Sequence, residues 1–240
     1  MTAKAFLSAR WERLAMLNYE VDPALLASRV PRGTELDLWN GKTYVSVVGF
    51  MFLDTRVRGI AIPFHRNFEE LNLRFYVRRT DARGTLRGVT FVKELVPRWA
   101  IATVARVRYN ENYRSVPMRH RFEPEALAQG SRVTYEFKHG GRWNALSVRA
   151  SGPSALAAPG SHEEFITEHY WGYAAQTDGG TVEYQVEHPR WQCFPVDEAR
   201  FDCDVAALYG PEFAETLARP PVSALLADGS EVIVRQGVRL

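Results

Sequence analysis

The sequence is poor in cysteine and contains no long apolar run. Cys193 and Cys203 are the only cysteines, and neither belongs to a CxxC pair or lies near a cluster of histidines. No stretch approaches the ~18 consecutive apolar residues of a membrane-spanning helix, and the N-terminus lacks the apolar core of a secretory signal. These absences argue against a disulfide-rich secreted scaffold and a membrane protein. We expect a reduced, cytoplasmic protein that does not bind membranes.

The charge is nearly balanced, and lysine is scarce. The 240 residues include 30 basic and 28 acidic side chains, a formal net charge of +2. Without a strongly basic composition, the sequence predicts no nucleic-acid partner. The lysines are Lys4, Lys42, Lys93 and Lys138. Because arginine supplies nearly all of the positive charge, a lysine among polar strand residues is a notable exception.

The sequence also lacks the familiar catalytic motifs. It contains no GxxxxGK, GxGxxG, GxSxG or HExxH pattern. Its six histidines are scattered and do not have the spacing of metal ligands. We therefore expect no metal and no cofactor.

Strand signals predominate along the chain. Residues 36–38 and 43–52 flank Asn40-Gly41, which predicts a hairpin, and Gly140-Gly141 predicts a second one between residues 132–138 and 144–150. Residues 6–19 fit either a strand or a short helix. The pattern indicates an α+β fold, predominantly antiparallel β, with a few short helices in one domain spanning residues 1–240.

Helix signals are fewer. Asp22 can cap a helix that begins at Pro23, and Ser161 with Glu164 forms a capping box for a helix of about ten residues. Residues 99–107 have helical spacing, and residues 204–217 suggest one or two short helices.

The most informative segment is residues 64–79, FHRNFEELNLRFYVRR. From Glu70 onward, polar and apolar side chains alternate strictly, so a strand here has one apolar face and one face with Glu70, Asn72 and Arg74. On an open antiparallel sheet the polar face meets water. On a strand of a closed sheet it lines an enclosed polar cavity.

A second candidate site contains Lys93. It follows Phe91 by two residues on a mostly apolar strand, and Glu94 falls on the opposite side. A buried lysine has a lowered pKa and can act as an amine nucleophile. The alternative is that Lys93 pairs with an acid at the sheet surface.

Several segments together carry a resemblance to a known family. They read YEVDPALLASRVPRGTELDLWNGKTYVSVVGF, FEELNLRFYVR, FVKELVPRWAIATVARVRYNENYRSVPM, EEFITEHYWGY and VEHPRWQ. In this order they resemble the YqjF-like family of uncharacterised bacterial proteins, domain-of-unknown-function family 2071, in the acetoacetate decarboxylase-like superfamily. The resemblance covers about residues 10 to 200. It implies a large antiparallel sheet wrapped into a cone or barrel around a polar cavity.

The resemblance also bears on catalysis. The superfamily's decarboxylases form a Schiff base on a lysine whose neighbour is a second lysine. The corresponding positions here hold Tyr113 and Arg114, neither of which forms an imine. Decarboxylation by that mechanism is therefore not expected unless Lys93 has taken over the role. The superfamily's cavity glutamate is similar to Glu70 or Glu69.

These observations lead to one main hypothesis and two alternatives. The main one is a protein that binds, and in one version transforms, a small carboxylate or carbonyl compound without the Schiff-base lysine. The alternatives are a non-catalytic small-molecule binder and a protein-interaction module, and a homo-oligomer stays open. The predicted catalytic residues are Glu70, Lys93 and Tyr113. The predicted substrate-binding residues are Asn72, Arg74, Arg114, His65 and Asn112.

Overall fold

The fold consists mainly of strands, and the computed structural model describes residues 3–97 and 112–240. The strands are β1 (Ala5–Val21), β2 (Glu35–Leu36), β3 (Thr43–Val57), β4 (Ile60–Ala61), β5 (Phe68–Asp81), β6 (Gly84–Val96), β7 (Tyr113–Ser115), β8 (Met118–Glu123), β9 (Arg132–His139), β10 (Arg142–Ala150), β11 (Ala155–Leu156), β12 (Trp171–Ala175), β13 (Thr181–Glu187), β14 (Gln192–Asp202), β15 (Ser223–Arg235) and β16 (Val238–Arg239). The α-helices are α1 (His162–Thr167), α2 (Val205–Tyr209) and α3 (Ala214–Ala218), and short 3-10 turns cover Pro23–Leu25, Ala27–Arg29 and Pro211–Phe213. In these two ranges, no helix has the length and apolarity needed to cross a membrane.

The strands form one wrapped, mixed sheet. Its order is β16-β13-β12-β6-β5-β3-β1-β15-β14-β10-β9-β8, with β13 also pairing with β15. That extra pairing, in which Val186 lies opposite Val234 and Glu187 opposite Ile233, closes the path from β13 through β12, β6, β5, β3 and β1 to β15. Most neighbours are antiparallel, and β6 pairs in parallel with both β7 and β12. The predicted α+β fold with a predominantly antiparallel, wrapped sheet is confirmed.

Both faces of β5 are buried. On the apolar side, Leu71, Leu73, Phe75 and Val77 belong to one hydrophobic cluster and are fully buried. On the other side, Glu70 and Asn72 are each only 2% exposed. The solvent-facing alternative is therefore wrong for these two side chains. Arg74 is half-buried, and near the end of the strand Arg78 pairs with Glu35 at the surface.

Local signals predicted several elements correctly. Gly140-Gly141 connects β9 and β10, with Arg142 opposite His139. The side chain of Ser161 accepts a hydrogen bond from the Glu164 backbone N–H, as in the predicted capping box, although the helix is six residues long. Residues 6–19, which the sequence left open, belong to strand β1.

Other elements differ from the sequence prediction. The Asn40-Gly41 turn is present between Trp39 and Lys42, but β2 pairs with β5 instead of forming a hairpin with β3. Two residues are too few to hold a hairpin arm against a better partner elsewhere in the sheet. Asp22 caps a short 3-10 turn, not an α-helix. The helix predicted for residues 99–107 lies outside the described residues.

Candidate functional site

A cavity opens on the polar face of β5. Glu70, Asn72 and Arg74 line it, because their side chains alternate with those of the buried apolar face. Glu94 of β6 and Tyr113 of β7 also line it, and these two residues lie opposite each other in the register. The space available to the centres of water-sized molecules is about 130 Å³. Four of the predicted site residues therefore converge in one concave region.

The Glu70 carboxylate lies within a hydrogen-bonded cluster. The side-chain amide of Asn72 donates to Glu70 Oε1 at 3.1 Å, and the Tyr113 hydroxyl donates to Oε2 at 3.2 Å. Two donors directed at one carboxylate fix its orientation. The cluster thus holds a carboxylate and a phenol side by side at the cavity wall, a pair that can exchange protons with a ligand.

Arg74 is held mainly by neutral groups. Its Nη2 donates to the Ile166 backbone carbonyl at 3.1 Å and lies 3.9 Å from the Met16 sulfur. Its guanidinium carbon lies 5.6 Å from the centre of the Tyr76 ring. Among residues 3–97 and 112–240, no carboxylate forms an ion pair with Arg74, and its buried Nε has no hydrogen-bond partner. A guanidinium in this setting attracts an anion.

A buried histidine lies against the same tyrosine ring. The His169 ring centre is 4.7 Å from that of Tyr76, and its Nε2 lies 3.4 Å from Asp37 Oδ2. The Arg87 Nε donates to the same Asp37 oxygen at 2.6 Å. Burial lowers the pKa of His169 to about 4, although the hydrogen bond with Asp37 acts in the opposite direction. Burial raises the pKa of Asp37, but the hydrogen bonds from His169 and Arg87 outweigh it and lower that pKa overall.

A second histidine lines the cavity on another side. The His188 ring stacks on Trp191 with 4.2 Å between ring centres, and the Tyr170 ring lies 4.7 Å away. Burial lowers the pKa of His188. Both His169 and His188 are therefore neutral hydrogen-bonding groups near pH 7.

Lys93 does not line the cavity. A bulge in β6 pairs Phe91 with Arg74 and Lys93 with Leu73, which leaves Val92 as the extra residue. Phe91 and Arg74 therefore share the cavity face. Lys93 lies on the same face as its partner Leu73, which points away from the cavity, and its amine donates to the backbone carbonyl of Leu208. Burial, followed by the charge of Arg114, lowers the pKa of Lys93. The lowered pKa expected for this lysine is thus present, but not at the cavity.

Three more predicted binding residues lie elsewhere. Arg114 is exposed on β7 beside Lys93. The Asn112 side-chain amide donates to the Val92 backbone carbonyl at 3.0 Å, outside the cavity lining. His65 lies in the loop before β5, where its Nδ1 is 2.8 Å from the carbonyl of Pro63. Proximity in sequence to the site was a poor guide, because neighbours along a strand or loop face different sides.

Sequence reasoning missed Glu94 and His169. Counting every second residue from Phe91 predicts that Lys93 lies on the cavity face. The bulge in β6 reverses the alternation after Phe91, so Glu94 lies on that face instead. His169 lies two residues after the end of α1 and meets Asp37 across 132 residues of sequence, a contact with no local signal. Between Glu69 and Glu70, which the resemblance left open, Glu70 is the one in the cavity, and Glu69 lies 2.7 Å from the His120 Nδ1.

Solved structures share this architecture. The enduracididine biosynthesis enzyme MppR, in a complex with pyruvate, matches with a TM-score of 0.68 and 13% identity over 100% of this chain and 91% of that one. An acetoacetate decarboxylase from Legionella pneumophila matches with a TM-score of 0.67 and 12% identity over 100% and 89%. At this level of identity the likeness defines the fold: a wrapped sheet of the acetoacetate decarboxylase-like class.

Comparison of the sequence with family models assigns the chain to a group narrower than the fold class. The model of the family DUF2071, described as an uncharacterized conserved protein, matches residues 8–231. The chain belongs to this family, as the resemblance had indicated. The uncharacterized protein YqjF of Bacillus subtilis (strain 168) is 40% identical over 68 residues, which are 28% of this chain and 28% of that protein. The aligned segment thus spans less than a third of that curated relative.

Proposed function

We propose that the cavity binds a small organic acid and that Arg74 binds its carboxylate. The observation that carries this proposal is the environment of Arg74, a cavity-lining cation held by a carbonyl, a thioether and a ring face. A guanidinium binds a carboxylate through two parallel hydrogen bonds, and such charge-assisted bonds are about twice as strong as neutral ones. The pyruvate complex of the structural neighbour MppR supports the same ligand class.

Glu70 and Tyr113 supply the reactive groups in this proposal. With the acid held at Arg74, the Glu70 carboxylate accepts or returns a proton at a neighbouring carbon or oxygen, and the Tyr113 hydroxyl donates a hydrogen bond to a carbonyl or hydroxyl oxygen. Asn72 holds Glu70 in place. None of the four lysines in the sequence lines the cavity, so the proposal contains no imine step there.

The first test measures the binding of pyruvate and butanoate by calorimetry or thermal shift. The Arg74→Gln variant removes the positive charge but keeps a polar side chain, and we expect it to weaken carboxylate binding about tenfold or more. Arg78→Gln is the matched control, because Arg78 lies on the same strand but pairs with Glu35 at the surface. Equal affinity of Arg74→Gln and the wild type for both acids would contradict the proposal.

Catalysis is tested separately from binding. NMR spectra of keto acids incubated with the protein would reveal decarboxylation, enolisation or hydration. We expect Glu70→Gln to abolish any turnover while keeping most of the affinity. A protein that binds but converts none of these acids would support the non-catalytic alternative. The cytoplasmic location and an oligomeric state stay predictions.

A further inference from the structure

The walls of the cavity differ sharply in polarity. The polar row Glu70, Asn72 and Arg74 comes from β5 alone. On the next strand, β3, the residues opposite Asn72, Glu70 and Phe68 are Val48, Phe50 and Phe52, and all three line the cavity. The anion-binding group therefore faces a cavity whose adjacent wall is apolar.

An aromatic cluster forms the end of the cavity away from Arg74. Trp11 of β1 lies opposite Phe52 and meets the Phe50 and Phe52 rings edge-on, at 5.1 and 5.6 Å between centres. The Phe52 ring stacks on Phe68 at 4.8 Å, and Trp191 lies 6.3 Å from Trp11. These five rings all belong to the cavity lining. We call them the aromatic end: Trp11, Phe50, Phe52, Phe68 and Trp191.

The distance between the two ends sets the size of the ligand. Arg74 and Phe68 are six residues apart on β5, and a strand rises about 3.3 Å per residue, so their Cα atoms are separated by roughly 20 Å. The side chains of both reach inward and shorten the gap. A ligand that contacts both Arg74 and Phe68 must therefore be elongated.

We propose that the ligand of this cavity is an elongated carboxylic acid with an apolar alkyl or aryl tail. Its carboxylate binds Arg74, and its tail lies along β3 and enters the aromatic end. This inference rests on the proposed function, because it uses Arg74 as the carboxylate anchor. The inference adds that most of the binding free energy comes from the tail. The five aromatic rings attract a ligand mainly by burying its apolar surface.

The test is a ligand series measured on the wild-type protein. Dissociation constants are determined for acetate, butanoate, hexanoate, octanoate and 4-phenylbutanoate, below their micelle concentrations, and for the matching primary amides. We expect affinity to rise from butanoate to octanoate by up to about fourfold for each methylene that becomes buried. The amides should bind about tenfold or more weakly than the acids, because they cannot form the charge-assisted pair with Arg74.

A variant pair locates the tail. Trp11→Thr removes a ring from the aromatic end but keeps a strand-forming residue, and it should reduce the gain in affinity from butanoate to octanoate severalfold. Trp143→Thr, on β10 and 38% exposed, is the matched control. A folding failure of Trp11→Thr does not remove the test, because the ligand series uses the wild type.

The outcomes separate the two proposals. Equal affinity for acetate and octanoate, with Arg74→Gln still weakening both, would overturn the elongated ligand and leave the anion site standing. A tail-dependent affinity that is the same for acids and amides would overturn both, because the carboxylate would then have no anchor. Tail-dependent affinity that also needs the carboxylate and Trp11 would establish the elongated acid.

Discussion

At the scale of single residues, two polar side chains of one strand have opposite surroundings. Glu70 accepts hydrogen bonds from Asn72 and Tyr113, whereas the described partners of Arg74 are neutral. Burying a charge without a counter-charge is unfavourable unless another gain compensates for it. An anionic ligand would provide that gain. The neutral surroundings of Arg74 therefore indicate anion binding, which its position in the sequence alone does not.

The buried His169 leads to a prediction about pH. Its pKa is lowered from 6.5 to about 4 in the folded protein. The unfolded state therefore takes up a proton at a higher pH than the folded state does. This residue's contribution to stability is complete above pH 6.5 and is lost as the pH falls from 6.5 towards 4, by up to about 3 kcal/mol.

The measurement is the free energy of unfolding in urea at pH values from 4 to 8. We expect a His169→Gln variant to have a flatter pH dependence between 4 and 6.5 than the wild type. His65→Gln is the control, because His65 lies in the loop before β5 and its Nδ1 contacts only the nearby Pro63 carbonyl. Parallel curves for His169→Gln and the wild type would show that this histidine does not drive the pH dependence.

At the scale of elements, the bulge in β6 decides which residues reach the cavity. Without it, strict alternation from Phe91 places Lys93 in the cavity and Glu94 outside. With Val92 as an extra residue, the two exchange sides. A single inserted residue thus determines whether the cavity wall carries an amine or a carboxylate.

This register predicts where an imine can form. In a Glu94→Lys variant treated with pyruvate and borohydride, the new amine lies in the cavity next to the keto acid, so we expect a reduced adduct at position 94, detected by peptide mass spectrometry. Adding Lys93→Met to that variant is the control and should leave the adduct unchanged. The absence of an adduct at position 94 in the Glu94→Lys variant would contradict the register.

At the scale of the whole molecule, the contact between β13 and β15 closes the path of strands whose side chains line the cavity. This contact is short, with two residue pairs in register, and a bidentate ion pair supports it: Arg235 donates to Glu187 through Nε at 2.8 Å and Nη2 at 2.7 Å. The hydrogen bonds from Arg235 lower the pKa of the Glu187 carboxyl. The closing contact therefore combines β pairing with paired charge.

Charge reversal should weaken this closure. Glu187→Arg and Arg235→Glu each place like charges together, and we expect each to lower the denaturant midpoint of unfolding below that of the wild type. The double variant restores the attraction and should recover most of that loss. The same reversal at Glu215 and Arg219, which are 81% and 68% exposed, is the control and should have little effect. Additive losses in the double variant would mean that the pair does not couple the strands.

The sequence predicted those elements whose signals are local. The alternation of β5, the Gly140-Gly141 turn and the Ser161 cap each depend on residues within a few positions of one another, and each is present in the structure. The partner of β2 was wrong, because two residues carry too little pattern to define a partner. That residues 1–240 form one domain stays a prediction.

The sequence alone determined that β5 has one apolar and one polar face, that lysines are few and that the chain belongs to its family. Only the tertiary structure decided that the polar face looks into a cavity, that Glu94 replaces Lys93 there and that His169 meets Asp37. The physical reason is the range of the interactions. Alternation follows from backbone geometry at each residue, whereas register, bulges and closure follow from contacts between strands far apart in the chain, which no local pattern encodes.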